Sequence, residues 1–578
     1  MVCRHSVMRR GLYAVLGAGL LTAAFSPGVR AQAIPDTIPA PADAARTEQN
    51  KNLTPPIPDD IEQVAPERRA VPQTPEGAEA MRFVLQSVEI NGMSAYSQDE
   101  ISGLYDQYLG QEISVATLFD VMAALQNKYL EDGYTLSRVV IPNQNIQNGD
   151  VVLQVIEGFI GEVEIDPALE NDAYINDAVQ KITAMRPLNT IEMERILLIL
   201  NDLPDLSVGA ILAAPDGPAQ PGVVRMVLER HEERDTRARV SIDNNGSVFT
   251  GPFSVNAMGR IYNAGLRYST LEVNGSQTTS IPEQSYGGVS YSTPVFGASG
   301  ARVTASASVS RTEPGSTLDP LDVQGKSRSL SVGASYPLIK QRAETCVIDA
   351  EFDVRDSRTK LLNEEFYDDR LRVIRTGINY SFSDGWDGIN LFDFRYSMGL
   401  DILGARETGS INLSRRAGRS DFRKVNLYAG RLQALPNDFE IYALAAGQFS
   451  NDPLLSAEEF GFGGADMGRG YDPSELTGDR GISASIEVRH RSTKKVFSMD
   501  TEFQPYAFFD IGKVWNIDDA DTTHQSGASA GVGLKIKVEK QWDANFGLAF
   551  PLTRPTENPA KYTDEYGPRV MFSLTRRF

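Results

Sequence analysis

The sequence predicts a β-rich membrane protein: two tandem α/β units followed by a transmembrane antiparallel β-barrel of about 16 strands. Three observations carry that reading. Over roughly the last 340 residues, apolar and small polar side chains alternate with period two. Ahead of them, one mixed pattern of strands and helices occurs twice. The chain also opens like an exported protein and has no later apolar run long enough to cross a bilayer as a helix, so any crossing falls to strands.

The opening, "MVCRHSVMRRGLYAVLGAGLLTAAFSPGVRAQA", has the parts of a secretory signal peptide at 1–33. Arg4, Arg9 and Arg10 form the positive end, residues 11–25 the apolar core, and Ala31-Gln32-Ala33 the cleavage site. Cleavage would remove four arginines and no acids, taking the net charge from −20 to near −24. Such an acidic chain argues against a nucleic-acid partner. Cys3 would be lost as well, leaving Cys346 without an internal disulfide partner.

Residues 34–80 are rich in proline and poor in large apolar side chains, which predicts an extended, mobile linker. "DDIEQVAPERR" is its one short helical candidate, so no plug helix is expected there. Residues 81–157 read as strand, helix, helix, strand, strand. Leu118, Val121, Met122, Leu125 and Tyr129 make one apolar helix face, and Gly133 fits a left-handed cap. Residues 158–231 repeat the order, with Asn189 as N-cap of the second helix and Glu192 three residues on.

From residue 236 to 578 the pattern is all strand. In "ARVTASASVSR" Ala301, Val303, Ala305, Ala307 and Val309 alternate with Arg302, Thr304, Ser306, Ser308 and Ser310. "SLSVGASYPL", "GASAGVGLKIKV" and "ANFGLAFPL" keep the same rhythm. An apolar face backed by Gly, Ser, Thr and Lys fits lipid outside and water inside, whereas a soluble sandwich would have a bulkier inner face. At about 20 residues per strand and connection, the length gives about 16 strands, enough for a water-accessible lumen. In the closing "VMFSLTRRF", Val570, Phe572, Leu574 and Phe578 share a face that Arg576 interrupts.

Enzymatic signals are missing. His231, His490 and His524 are far apart and lack metal-ligand spacing. Gly325-Lys326-Ser327 lacks the upstream glycine of a phosphate loop, because position 320 is Pro320. Acidic runs such as "NIDDADTT" read as solvated loops. The sequence therefore predicts no enzyme, no cofactor and no metal.

These parts, in this order, resemble the two-partner secretion transporters (TpsB proteins, of the haemolysin and adhesin secretion and activation type). The resemblance covers about residues 82–578. It rests on "GYTLSRVVIPNQNIQNGDVVLQVIEG" at 133–158, "PLNTIEMERILLILNDLPDLSV" at 187–208 and "DNNGSVFTG" at 243–251. It implies two periplasmic POTRA domains and an outer-membrane barrel whose sixth extracellular loop folds back into the lumen. That loop ends in an Arg-Gly-Tyr or Arg-Gly-Phe tip, here Arg469-Gly470-Tyr471 within "GGADMGRGYDPSELTGDRG". Gly468 stands where the family carries Val or Ile, which implies a looser tip. The family's Phe-x-Asp-x-Gly wall motif is Phe508, Asp510 and Gly512 in "FFDIG". Strand alternation puts these three on one face, so Asp510 faces the lumen if Phe509 and Ile511 meet lipid. Guanidinium matches carboxylate as a planar fork, and Glu487 in "ISASIEVRH" is a second candidate anion.

The resemblance also implies the partners: a secreted protein held unfolded in the periplasm, outer-membrane lipid, and the barrel-assembly machinery for insertion. Capture would use strand addition to the first POTRA domain, with Val139, Val140, Val152 and Gln154 in the strands expected to take part. A barrel insertase shares the barrel and the arginine tip but usually carries three to five POTRA units. A passive channel would leave the paired units unexplained.

Overall fold

The computed structural model describes residues 38–48, 74–146, 148–216, 220–231, 237–517, 523–539, 541–553 and 567–578. The expected signal peptide, the "DDIEQVAPERR" stretch and most of "NIDDADTT" lie outside them.

In the first α/β unit, strand Asp150–Ile156 is central. Ser87–Asn91 runs parallel on one side and Arg138–Val140 antiparallel on the other. Helices α1 (Gln98–Ser102) and α2 (Val115–Glu131) pack their apolar residues on this sheet. The α2 face expected from periodicity is the buried one. Ser114 caps its start, accepting from the Thr117 N–H at 3.2 Å, and Gly133, at φ +90°, turns the chain away at its end. Glu157 closes the unit by accepting from the Ser94 and Ala95 N–H groups and the Tyr129 hydroxyl at 2.8, 2.9 and 2.8 Å. Burial alone would raise its pKa; these bonds outweigh that and hold it below the ordinary carboxylate value.

The second unit repeats the topology. Phe159–Ile165 runs parallel to Val223–Arg230, which pairs antiparallel with Val208–Ala213. Helices α3 (Ala173–Thr183) and α4 (Thr190–Asn201) cover it. Asn189 caps α4, accepting from the N–H groups of Ile191 and Glu192.

Sixteen antiparallel strands follow, each paired with its chain neighbour, from Ala238–Asp243 to Arg569–Arg577. The twelfth is two segments, Arg480–His490 and Ser492–Val496, both paired with Met499–Trp515. The last strand pairs with the first and closes the barrel over five residue pairs, from Ser573↔Asp243 to Arg577↔Arg239. Asn244 lengthens this short seam: its side chain accepts from the Phe572 N–H and donates to the Val570 carbonyl, both at 2.7 Å. Leu330, Val332, Ile482, Ile486, Phe509, Ile511 and Val532 are exposed on the outer face, as a lipid-facing surface requires. Inside, glycines make room for rings laid on the wall. A Cβ on Gly531 would stand 2.6 Å from Phe508 Cζ, and one on Gly533 2.3 Å from Tyr506 Cζ.

The second unit is docked on one rim. Asp172 caps α3 and also accepts from Arg267 Nη2 and the Tyr268 hydroxyl at 2.8 and 2.6 Å. Asp177 accepts from the Ala298 N–H at 2.7 Å, and Arg195 donates to the Pro337 carbonyl at 3.1 Å. These partners lie in or beside the turns at 263–269, 295–301 and 341–343, so that rim faces the α/β units.

The proline-rich segment departs from the expectation. Residues 38–48 are not extended: they lie inside the barrel as two short 3-10 turns, Ala40–Ala42 and Ala44–Arg46. Ile38 and Ala42 pack against Phe249, Leu318 and Tyr367 at the end of the barrel away from the docked unit. Arg46, 1% exposed, donates to the Ser456 and Glu459 carbonyls. Asp43 accepts from the Tyr367 and Ser456 hydroxyls at 2.5 Å each. Local pattern could not reveal this, because every one of these partners is more than 200 residues away in the chain.

Candidate functional site

Loop 451–479 joins the eleventh and twelfth barrel strands and turns inward as a short hairpin, Phe460–Phe462 against Leu476–Gly478. Its tip meets the wall through Arg469. The guanidinium grips Asp510 with both ends of its fork, Nε to Oδ2 at 3.1 Å and Nη2 to Oδ1 at 2.8 Å. Nη1 donates to Glu487 Oε2 at 2.5 Å and Nη2 also to Ser485 Oγ at 2.9 Å. Its flat face lies 3.5 Å from the centre of the Phe508 ring. Asp510 is fully buried and accepts as well from the backbone N–H groups of Gly468 and Arg469.

Each residue of the two motifs has a physical reason. Phe508 supplies the ring, Asp510 the fork, and Gly512 the space: a Cβ there would stand 2.3 Å from Phe462 Cδ2. Gly470 lets the tip touch the wall, since a Cβ would come within 2.8 Å of Ser529 Cβ and 3.0 Å of the Pro551 nitrogen. Tyr471 is fully buried, its hydroxyl donating to the Ala528 carbonyl at 3.0 Å. Glu487 also binds Arg489 and Lys535, so a single acid serves three cations. Gly468 does not make the tip looser. It sits at φ +81°, its N–H is bound to Asp510, and a Cβ would come within 2.9 Å of Gly463 N.

Sequence reasoning missed two further anchors of the loop. Glu458, with no exposed surface, binds Arg375 Nη2 at 2.6 Å and Lys424 Nζ at 2.8 Å. Asp479, equally buried, accepts from Arg415 and from the Leu454 and Ile517 N–H groups. The available signal was positional: Arg375 falls on the lumenal side of its strand, between the apolar Ile374 and the small Thr376. Arg569 of the last strand donates to the Tyr471 and Gly246 carbonyls, and Asp472 accepts from the Val248 N–H. The loop tip thereby ties the last strand to the segment that follows the first.

The strands expected to take up cargo are less open than their sequence implies. Asp150–Ile156 is paired on both sides, so Val152 and Gln154 offer no free sheet edge. Beyond the end of strand Arg138–Val140, the Gln144 side chain occupies the backbone N–H and C=O of Val152 at 2.8 Å each. Val139 is buried, and its N–H is taken by the Gln126 side chain at 2.9 Å. Val140 is the last residue of that short strand, paired with Gln154. Two causes close these strands: backbone pairing on both sides takes Gln154, and side-chain amides take Val152 and the Val139 N–H. Among the described residues, no strand pairs with the outer side of Ser87–Asn91.

A closed barrel with a polar lumen, a docked α/β unit on one rim and a loop latched inside defines an outer-membrane transporter of the secretion type. Residues 222–536 match the family model described as haemolysin secretion/activation protein ShlB/FhaC/HecB, and residues 83–158 match the POTRA domain, ShlB-type. The chain belongs to the haemolysin secretion/activation family. It is 22% identical over 509 residues to the Haemophilus influenzae heme/hemopexin transporter protein HuxB, covering 85% of this chain and 87% of that one. It is 21% identical to the Serratia marcescens hemolysin transporter protein ShlB, covering 82% and 84%. The solved structure of CdiB from Escherichia coli superposes with a TM-score of 0.74 at 19% identity, covering 88% of this chain and 92% of that one.

Proposed function

We propose that this chain exports one partner protein across the outer membrane, taking it up unfolded in the periplasm and passing it through the barrel lumen. The observation that carries the reading is the continuity of parts within one matching family: an α/β unit docked directly on the rim of a closed barrel whose interior is polar. The outer side of Ser87–Asn91, where the Gln98 side chain donates to the Val88 carbonyl at 3.3 Å but no strand pairs among the described residues, is the edge we assign to capture, by strand addition in which backbone hydrogen bonds supply the affinity. The Arg469–Asp510 latch keeps the loop against the wall and holds the barrel in shape. Insertion of the barrel itself falls to the barrel-assembly machinery, with lipid around its apolar face. Deleting the gene and comparing outer-membrane and secreted proteins tests the reading. Loss of one large secreted protein, with other barrels at normal levels, is expected. A general loss of outer-membrane barrels would refute it in favour of an insertase.

A further inference from the structure

The lumen wall is not uniform. On strands Arg302–Thr312 and Gln324–Lys340 the inward positions are Thr304, Ser306, Ser308, Ser310 and Thr312, facing Gly333, Ser331, Ser329, Ser327 and Gly325. At about 3.4 Å per residue, this hydroxyl strip runs about 27 Å along the strand from Thr304 to Thr312, which at a tilt of about 35–45° rises about 20 Å across the membrane. The hydroxyls bond to one another: Ser306 to Ser331 and Ser308 to Ser329 at 2.7 Å, and Ser327 to Ser357 at 2.8 Å. The Thr312 hydroxyl, on a residue 1% exposed, has no partner among the described residues. The wall further round is different, carrying the ion pairs of Arg375, Lys424 and Glu487 with the inward-folded loop or its neighbours.

A polypeptide already lies on the strip. Ser310 donates to the Ala44 carbonyl at 2.7 Å, Ser308 and Ser329 donate to the Glu48 carboxylate at 3.3 and 3.2 Å, and Gln284 on the next strand donates to the Thr47 hydroxyl at 3.2 Å. Segment 38–48 and the loop tip at 463–467 both line two cavities of about 480 and 560 Å3. The foot of the strip is also where the second α/β unit docks, on the turn 295–301 and on Pro337. A chain handed over by that unit would arrive at the strip.

We propose that this hydroxyl strip, on which residues 38–48 lie, is the track along which the exported polypeptide crosses the lumen. The proposal rests on the export reading. Hydroxyls suit a moving chain because each can donate or accept, whichever backbone group passes. When the chain moves on, the Ser306–Ser331, Ser308–Ser329 and Ser327–Ser357 pairs still bond one another, so few buried polar groups are left stranded. The charged sector would instead hold a passing polar chain by strong local bonds.

The test uses the transporter in planar bilayers, with Cys346→Ser as background. The probe is a synthetic unfolded polypeptide rich in Gly, Ser, Thr and Asn, with one central cysteine, driven through by voltage. Single cysteines are placed on the strip, Ser308→Cys or Ser329→Cys, and in the charged sector, Asn426→Cys, at a position that lines the lumen cavity two residues from Lys424 on strand Arg423–Leu435. With residues 38–48 deleted, we expect current blockades and disulfide trapping about tenfold higher at the strip than at Asn426→Cys, equivalent to about 1.4 kcal/mol of preference. With the segment present, trapping at the strip should fall several-fold and recover when Arg46→Ala loosens it. Blockades with equal trapping in both sectors would overturn the track and leave the pore reading standing. No blockade from the deleted form would overturn both.

Discussion

Replacing Asp510 with alanine should unlatch the loop. The carboxylate is fully buried and accepts from Arg469 Nε and Nη2 at 3.1 and 2.8 Å and from two loop N–H groups at 3.1 and 2.9 Å. Removing one partner of a buried pair costs about 3–5 kcal/mol, and each orphaned N–H adds about 1 kcal/mol. Two effects reduce the sum. Glu487 stays 2.5 Å from Nη1, and water can reach a polar lumen. The expected loss is therefore about 3 kcal/mol, read from denaturant titration in detergent by heat-modifiable gel mobility. Asp510→Asn should cost about as much: the amide keeps one oxygen but turns its NH2 toward guanidinium donors. A double-mutant cycle with Arg469→Ala should give a coupling of about 2 kcal/mol. If Asp510→Ala shifts stability by less than about 0.5 kcal/mol, with the loop still shielded from protease, the latch is not holding the barrel.

Other outcomes follow from the same geometry. Gly470→Ala should push the tip off Ser529 and the backbone at Pro551, raising protease cleavage within 451–479 without any loss of charge. Arg569→Ala removes the tie between the Tyr471 and Gly246 carbonyls, so cysteines placed across the five-pair seam should cross-link less efficiently. Asp172 is held below its ordinary pKa of 3.8: burial opposes this, but the bonds from Tyr268, Arg267 and the α3 backbone outweigh it. Because the folded value is the lower one, its docking contribution is complete above pH 3.8 and disappears as pH falls through that depressed value. Cross-linking of the second unit to turn 263–269 should accordingly persist at pH 5 and fail only in stronger acid. Gln126→Ala should free the Val139 N–H and increase binding of extended peptides to strand Arg138–Val140, measurable by fluorescence anisotropy on the full chain.

What sequence alone determined is what repeats locally. Period-two alternation sets which face of each strand meets lipid, because successive side chains must point opposite ways. The α2 face and the Asn189 cap follow from the same short-range geometry. The Arg-Gly-Tyr and Phe-x-Asp-x-Gly stretches stood out because their spacing is local, although their meeting across 41 residues is not. The tertiary structure decided everything that depends on distant partners. It placed residues 38–48 of the proline-rich stretch inside the lumen, held by Tyr367 and Ser456, and it revealed Glu458 and Asp479 as further loop anchors. It also closed the expected cargo strand with Gln126 and Gln144. A barrel brings residues hundreds of positions apart to the same height on one wall, and a buried charge is stable only where such an encounter supplies its counter-ion.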